Sequence, residues 1–404
     1  MTISDVDSPS VRLAAFQFSL SERDRRYSAV RKLMEARGLE FLLIPHNTGD
    51  WDNFQPDLRY LSCIGGGGMA AALVFPLRGE PVVAVREARR ATWWKASQNW
   101  IEDIRSPAQF VWSKLFADVL NEHQVRPTAK IGIVGLNTSL RDVEGTMSYG
   151  EFMALRKSFP QVSFECATDI LYRVRKRKSA EEIAYVEQAQ KCADAIDLAM
   201  RDTVRPGVAE HEVYANLFAA HIKAGGEVSS MILFSADKRF WQTQLMPTFR
   251  KLEVGDVVLV EAEPKYYGYM AQAVSSASLR ALSDLEQRLF AGSRACFDTL
   301  LSELVPGRSY KSLIDRWKAV ARENGVNAGR TMGHGLGLGQ DGPLISPSGD
   351  AGGLEVEEGD VLVLKPWVCD DDNTVAIRVG GTVIVERHGA RRLGQCSLSP
   401  HIAK

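Results

Sequence analysis

The sequence lacks most of the features that would assign it quickly. It has no CxxC pair: its cysteines, Cys63, Cys166, Cys192, Cys296, Cys369 and Cys396, lie far apart. That spacing argues against a disulfide framework or a thiolate zinc site and for scattered reduced thiols in a cytoplasmic protein. No run approaches ~18 consecutive apolar residues, so no membrane-spanning helix is expected. The opening stretch MTISDVDSPSVRLAAFQF has no basic segment ahead of an apolar core, and no secretory signal is read there. A charge excess of one sign is missing too. The 49 Lys and Arg stand against 50 Asp and Glu, a formal net charge of -1, which offers no field to recruit nucleic acid or an anionic membrane. There is no low-complexity tract and no repeat period. What is present is 404 residues at 45% hydrophobic and 25% charged, enough for two or three domains whose cores need no staple.

The first half alternates helix and strand signals. Residues 21–37 open at Ser21 as a candidate N-cap and stop before Gly38, a fitting C-terminal glycine. Leu39 to Pro45 and Pro81 to Arg86 read as buried strands. A helix over about 107–124, a strand at 130–136 and a helix near 148–159 complete an α/β domain, placed at 1–172. A basic run, Arg173 to Lys178, follows and is read as a solvated linker rather than a polyanion patch. Ser179 with Glu182 forms a capping box that opens a helix to about Asp202. The second domain, 173–404, is α+β in character. It has helices over 209–224, from Ser283 (with Glu286, a second capping box) to about Glu303, and from Ser309 to Asn324. Its strands are Val257 to Glu263, Val361 to Lys365, Val375 to Val379 and Thr382 to Glu386.

Several motifs carry less than they promise. Gly337 to Gly342 matches GxGxxG, but a glycine-rich loop precedes it and Pro343 follows, so the strand–turn–helix of a dinucleotide site is missing. His211-Glu212 is half a zinc-protease helix, with Ala215 where the second histidine belongs; His211 is read as an exposed helix residue. Gly65 to Gly68 reads as a flexible connection before an anion cradle. His46, His123, His221, His388 and His401 have no local partner to select them.

The order of signals from the Lys178-Ser179-Ala180-Glu181-Glu182 helix start resembles the creatinase/prolidase/methionine aminopeptidase family. Arg205-Pro206-Gly207, Gly255-Asp256, the strand VVLVEAEP, Gly268-Tyr269, Gly333-His334-Gly335, the segment Leu354 to Val361, and Arg378 to Val383 continue the match in that family's order. The likeness covers about 178–390; the first domain fits the creatinase/prolidase companion domain in size and layout. The resemblance implies a pita-bread C-terminal domain behind an α/β N-terminal domain. It also implies a homodimer whose N-terminal domain leans over the partner's pocket. The family's metallopeptidases hold two divalent ions with two Asp, one His and two Glu. Motif by motif those positions fall on Glu261, Gln272, His334, Lys365 and Gly380, so ligand chemistry survives only at Glu261 and His334. An ammonium offers no lone pair to a cation, and no dinuclear metal and no cofactor is expected. Creatinase is the family's metal-free precedent, but the stretch that carries its histidine reads Gln242 to Pro247 here, without one.

Strand alternation puts Glu261 and Glu263 on one face, about 6.5–7 Å apart. The pocket is read with Lys365 in place of the metal charge, one glutamate as general base and His334 as base or proton shuttle. Asp341 and Arg378 are read as substrate binders, and the aromatic segment His46 to Tyr60 as either an ordinary surface loop or a lid or cross-subunit wall whose Trp51, Phe54 and Tyr60 stack on an organic cation or planar substrate. The leading expectation is a cytoplasmic, metal-independent, creatinase-like hydrolase that cleaves a C–N bond of a small polar nitrogen compound. The alternatives are a lyase working by proton abstraction in the same pocket, and an inactive pseudo-peptidase that binds a peptide or protein there.

Overall fold

The computed structural model describes residues 18–46, 55–65, 70–136, 144–227, 231–242 and 246–403. Trp51, Phe54, Gly66 to Gly68 and Thr243 to Leu245 lie outside the described residues. The chain divides into two compact units, the first ending at Arg175 and the second running Lys176–Lys404.

In the first unit, helix α1 (Leu20–Arg37) starts one turn-position earlier than expected, because Ser19, not Ser21, accepts from the backbone N–H of Glu22 at 3.1 Å. It stops at Gly38 with φ 68°, the left-handed geometry that glycine tolerates. A mixed six-stranded sheet follows in the order β4 (Asp103–Arg105), β3 (Val82–Val85), β2 (Ala71–Pro76), β1 (Phe41–Ile44), β5 (Lys130–Ile133), β6 (Ser163–Cys166). Leu115, Phe116, Val119 and Leu120 of α4 (Trp112–Glu122), at helical three-to-four spacing, pack on Leu43, Ile131 and Ile133. Two helices were not legible: α2 (Pro56–Ser62), where a loop was expected, and α3 (Ala88–Ser97). The remaining helices of this unit are α5 (Tyr149–Ser158) and α6 (Thr168–Lys176).

Tyr60 corrects the lid expectation. It lies in α2, fully buried, with the Arg26 guanidinium 4.3 Å from its ring centroid, so its face is covered by protein and not offered to a substrate.

The second unit is built on a nine-stranded sheet. Its main path runs β14 (Leu344–Ile345), β13 (Gly333–Gly335), β15 (Val361–Leu364), β18 (Gly380–Glu386), β11 (Ala273–Ser278), β8 (Val257–Glu263), β7 (Met231–Asp237). Helices cover both faces, and β8 is buried along its whole length. Its residues Val258, Val260 and Ala262 join the core under α7 (Ala180–Thr203) and α8 (Glu210–Lys223). Val257 and Leu259 point the other way, into the core under α9 (Asp284–Glu303) and α10 (Tyr310–Glu323). Alternation therefore carries Glu261 and Glu263 along the second face, beyond an apolar footing that fixes the strand.

The basic run is not a solvated linker. Arg175, Lys176 and Lys178 are each at least nine-tenths buried. Arg175 pairs with Asp57 at 2.6 Å, Lys176 with Asp360 at 3.1 Å and Lys178 with Asp341 at 2.9 Å. Periodicity in the run hid this, since only the burial of the partners distinguishes a paired cation from a solvated one.

Candidate active site

The five positions that the resemblance assigns to metal ligands converge on five neighbouring strands. His334 lies on β13, Lys365 directly after β15, Gly380 at the start of β18, Gln272 directly before β11 and Glu261 on β8. Glycines let the strands approach. A Cβ on Gly335 would lie 1.9 Å from the carbonyl oxygen of Gly342, and one on Gly380 would lie 2.0 Å from that of Leu364.

At the centre, Glu261 is shared by two cations. Lys365 Nζ donates to Oε1 at 2.7 Å, and Arg378 Nε donates to Oε2 at 2.6 Å. All three side chains are buried. Gln272, completely buried, donates its amide nitrogen to Glu261 Oε1 at 2.6 Å and to Glu263 Oε1 at 2.9 Å. Its backbone is tied to Thr382, whose hydroxyl oxygen accepts from the Gln272 N–H at 2.9 Å. The second oxygen of Glu263 accepts from the Gln340 amide at 2.9 Å. The Arg378 guanidinium also lies 4.1 Å from the Trp367 ring centroid, a cation–π contact that fixes its plane.

Burial by itself would raise the proton affinity of Glu261, but the Arg378 and Lys365 charges beside it outweigh burial and hold the carboxyl well below the usual carboxylate range. Glu261 therefore stays ionised and makes a poor proton acceptor. Arg378 is engaged within the protein: its Nε donates to Glu261 and its face lies on Trp367. Asp341 is held by Lys178 rather than offered to a substrate. His334 is buried and its Nδ1 lies 2.9 Å from the Gly335 carbonyl oxygen. A carbonyl can only accept, so Nδ1 carries the proton and Nε2 is the basic nitrogen of the neutral ring.

Sequence reasoning missed Gln340, Trp367 and Lys178. The first and second had a signal, since Gln340 adjoins Asp341 and Trp367 lies two residues after Lys365. Lys178 had none beyond its place in the run, and Gln272 was read only as a lost ligand.

The donor set does not fit a pair of divalent cations. Such a pair is held by bridging carboxylates that also neutralise it. Here the one carboxylate among the five positions is already bound by an ammonium and a guanidinium. At Gly380 the backbone of Leu364 fills the space where a ligand side chain would begin. Among the described residues no cluster of three or more His, Cys, Asp or Glu could hold a metal ion.

Comparison with known proteins agrees with this architecture. The Xaa-Pro dipeptidase of Bacillus anthracis superposes with a TM-score of 0.78 at 17% identity, over 94% of this chain and 99% of that one. The X-Pro aminopeptidase of Thermotoga maritima MSB8 gives 0.76 at 19%, over 93% and 99%. The fold is thus a pita-bread hydrolase fold behind a companion α/β domain. Metallopeptidase family M24 matches residues 184–387 and the creatinase/prolidase N-terminal domain matches 26–177, and the chain belongs to family M24. Among relatives, an Xaa-Pro dipeptidase of Pyrococcus furiosus is 22% identical over 261 residues, 64% of this chain and 74% of that protein. A creatinase of Bacillus sp. strain B-0618 is 26% identical over 199 residues, 48% of each chain. These relatives are hydrolases. No helix among the described residues is long and apolar enough to cross a membrane.

Proposed function

We propose that the chain is a metal-independent hydrolase that cleaves a C–N bond of a small polar nitrogen compound. The observation that carries this reading is the Lys365 ammonium at 2.7 Å from Glu261, with Arg378 on the other oxygen, at positions to which the family resemblance assigns metal ligands. Two fixed cations there favour charge that develops on an oxygen during attack, the electrostatic part of the work. Glu261 holds both cations in place. Proton handling falls to Glu263 or to His334 Nε2: the basic atom takes a proton from the attacking water and returns that same proton to the leaving nitrogen. Water is consumed and the C–N bond breaks, with one proton moved and none lost. Without a metal Lewis acid the substrate must be easier to hydrolyse than an unactivated peptide.

The test is a metabolite panel read by mass. Hydrolysis adds the mass of water to the products, whereas elimination in the same pocket does not. Glu263→Gln is expected to lower kcat by about 10²–10⁴ with the fold intact, and a chelator is expected to change nothing. Unchanged turnover in the variant rejects the role of Glu263.

One observation favours a second reading. Both oxygens of Glu261 and both of Glu263 already accept hydrogen bonds inside the protein, as they would in a pseudo-peptidase that binds a peptide. Stabilisation by peptides with no turnover of any small molecule would select it. The same proposal carries a cytoplasmic homodimer, which sedimentation tests.

A further inference from the structure

The two amides that hold Glu263 are not held alike. Gln272 extends a central strand and is fastened through its backbone to Thr382. Gln340 lies on the glycine loop between β13 and β14, whose backbone ties fall on either side of it: Leu336 N–H to the Val361 carbonyl at 2.8 Å, Gly337 N–H to that of Gly339 at 3.1 Å, Met270 N–H to that of Gly337 at 2.8 Å and Gly335 N–H to that of Pro343 at 3.0 Å. The far end of this loop is held as well by an ion pair from a distant stretch of chain. Lys178, the residue just before the N-cap of α7, reaches Asp341 Oδ2 at 2.9 Å, and both side chains are almost wholly buried. The ammonium donates as well to the Lys176 carbonyl at 3.1 Å, and the Lys178 backbone N–H to that of Gly359 at 2.9 Å. Gly337 makes room for the pair. A Cβ there would lie 2.2 Å from Asp341 Oδ2 and 2.4 Å from Lys178 Cε.

We propose that Lys178 is a positioning residue for the active site: by pinning Asp341 it sets the glycine loop, and so sets the neighbouring Gln340 amide on Glu263 Oε2. The importance of Glu263 rests on the hydrolase reading above, but the mechanical link does not. Lys178 touches none of the reacting groups and acts through two residues. The charge it brings faces Asp341, on a loop that has little regular secondary structure of its own.

The experiment needs no substrate, so its outcome stands apart from that of the hydrolase test. The full chain is labelled with 15N-glutamine, and the side-chain amide signals of Gln340 and Gln272 are assigned by Gln→Glu substitution. Lys178→Met with Asp341→Leu replaces the pair by apolar side chains of similar size. Gly337→Ala keeps both charges but forces them apart. In each folded variant the Gln340 amide signal is expected to shift and its hydrogen exchange to quicken by tenfold or more, while Gln272 stays unchanged. If the double variant fails to fold, Gly337→Ala carries the same reading. An unmoved Gln340 signal overturns the proposal, and so does an equal shift at Gln272, which would mean general loosening of the site.

Discussion

Glu261 shows how far one residue's surroundings decide its chemistry. A strand glutamate near a histidine reads as a base, and its spacing from Glu263 was legible; its partners were not, because Lys365 and Arg378 are more than a hundred positions away. Because its carboxyl is held low, its contribution to stability is complete above pH 4.5, its value in an unfolded chain, and is lost as the pH falls below that. Glu261→Gln strands two buried cations and is expected to cost about 3–5 kcal/mol in urea unfolding; a cost below 1 kcal/mol would contradict the pairing. Glu151 in the first unit behaves in the opposite sense. Burial pushes its carboxyl up to about 7, and His46 Nδ1, 3.8 Å away and stacked over Trp112, is itself lowered by burial. The folded state holds a proton on Glu151 that the unfolded chain releases near 4.5, so stability falls as pH rises from 4.5 to 7, by on the order of 3 kcal/mol. His46 works against this below about 6.5. Glu151→Gln is expected to remove the decline, as read from denaturant midpoints between pH 5 and 8.

Elements were legible where they carry their own signals. The capping boxes at Ser179 and Ser283 mark the starts of α7 and α9, and alternation placed the two glutamates on the same side of β8. The first of these caps is also tied to the two-stranded ribbon of Lys265–Tyr266 and Tyr269–Met270, for Glu182 accepts from the Tyr269 hydroxyl at 2.9 Å. Ser179→Ala is therefore expected to cost about 1 kcal/mol and Glu182→Ala more, since it also strands a buried hydroxyl; the reverse order in thermal unfolding would contradict this. Of the two helices that escaped notice, α3 buries only Ala91, Trp94 and Ser97, whereas α2 is short and buried throughout. All seven residues of α2 are buried, so no polar face alternates with an apolar one. The glycine loop was likewise readable as irregular, but its hold on Asp341 was not, because a buried ion pair leaves no trace in local sequence. Gly380 belongs to this scale too. Gly380→Ala sets a methyl group against the Leu364 carbonyl and is expected to destabilise by about 1–3 kcal/mol, which thermal melts would register.

Over the whole molecule, the division into two units and the family of the second were carried by the order of its motifs, while the chemistry was carried by departures from them. Gln272, Lys365 and Gly380 stand where the resemblance places ligands, and the structure closes those departures into one network of two carboxylates, two cations and an amide. That network explains in physical terms why the substrate stays unread: it fixes where charge sits in the site, whereas specificity depends on whatever group approaches it. The most direct measurement of the central claim is calorimetric titration of the chelator-treated chain with Mn²⁺ and Zn²⁺, with Glu261→Gln as the control for binding elsewhere. The account predicts no saturable heat that the control lacks; two ions bound per chain, lost in Glu261→Gln, would contradict it.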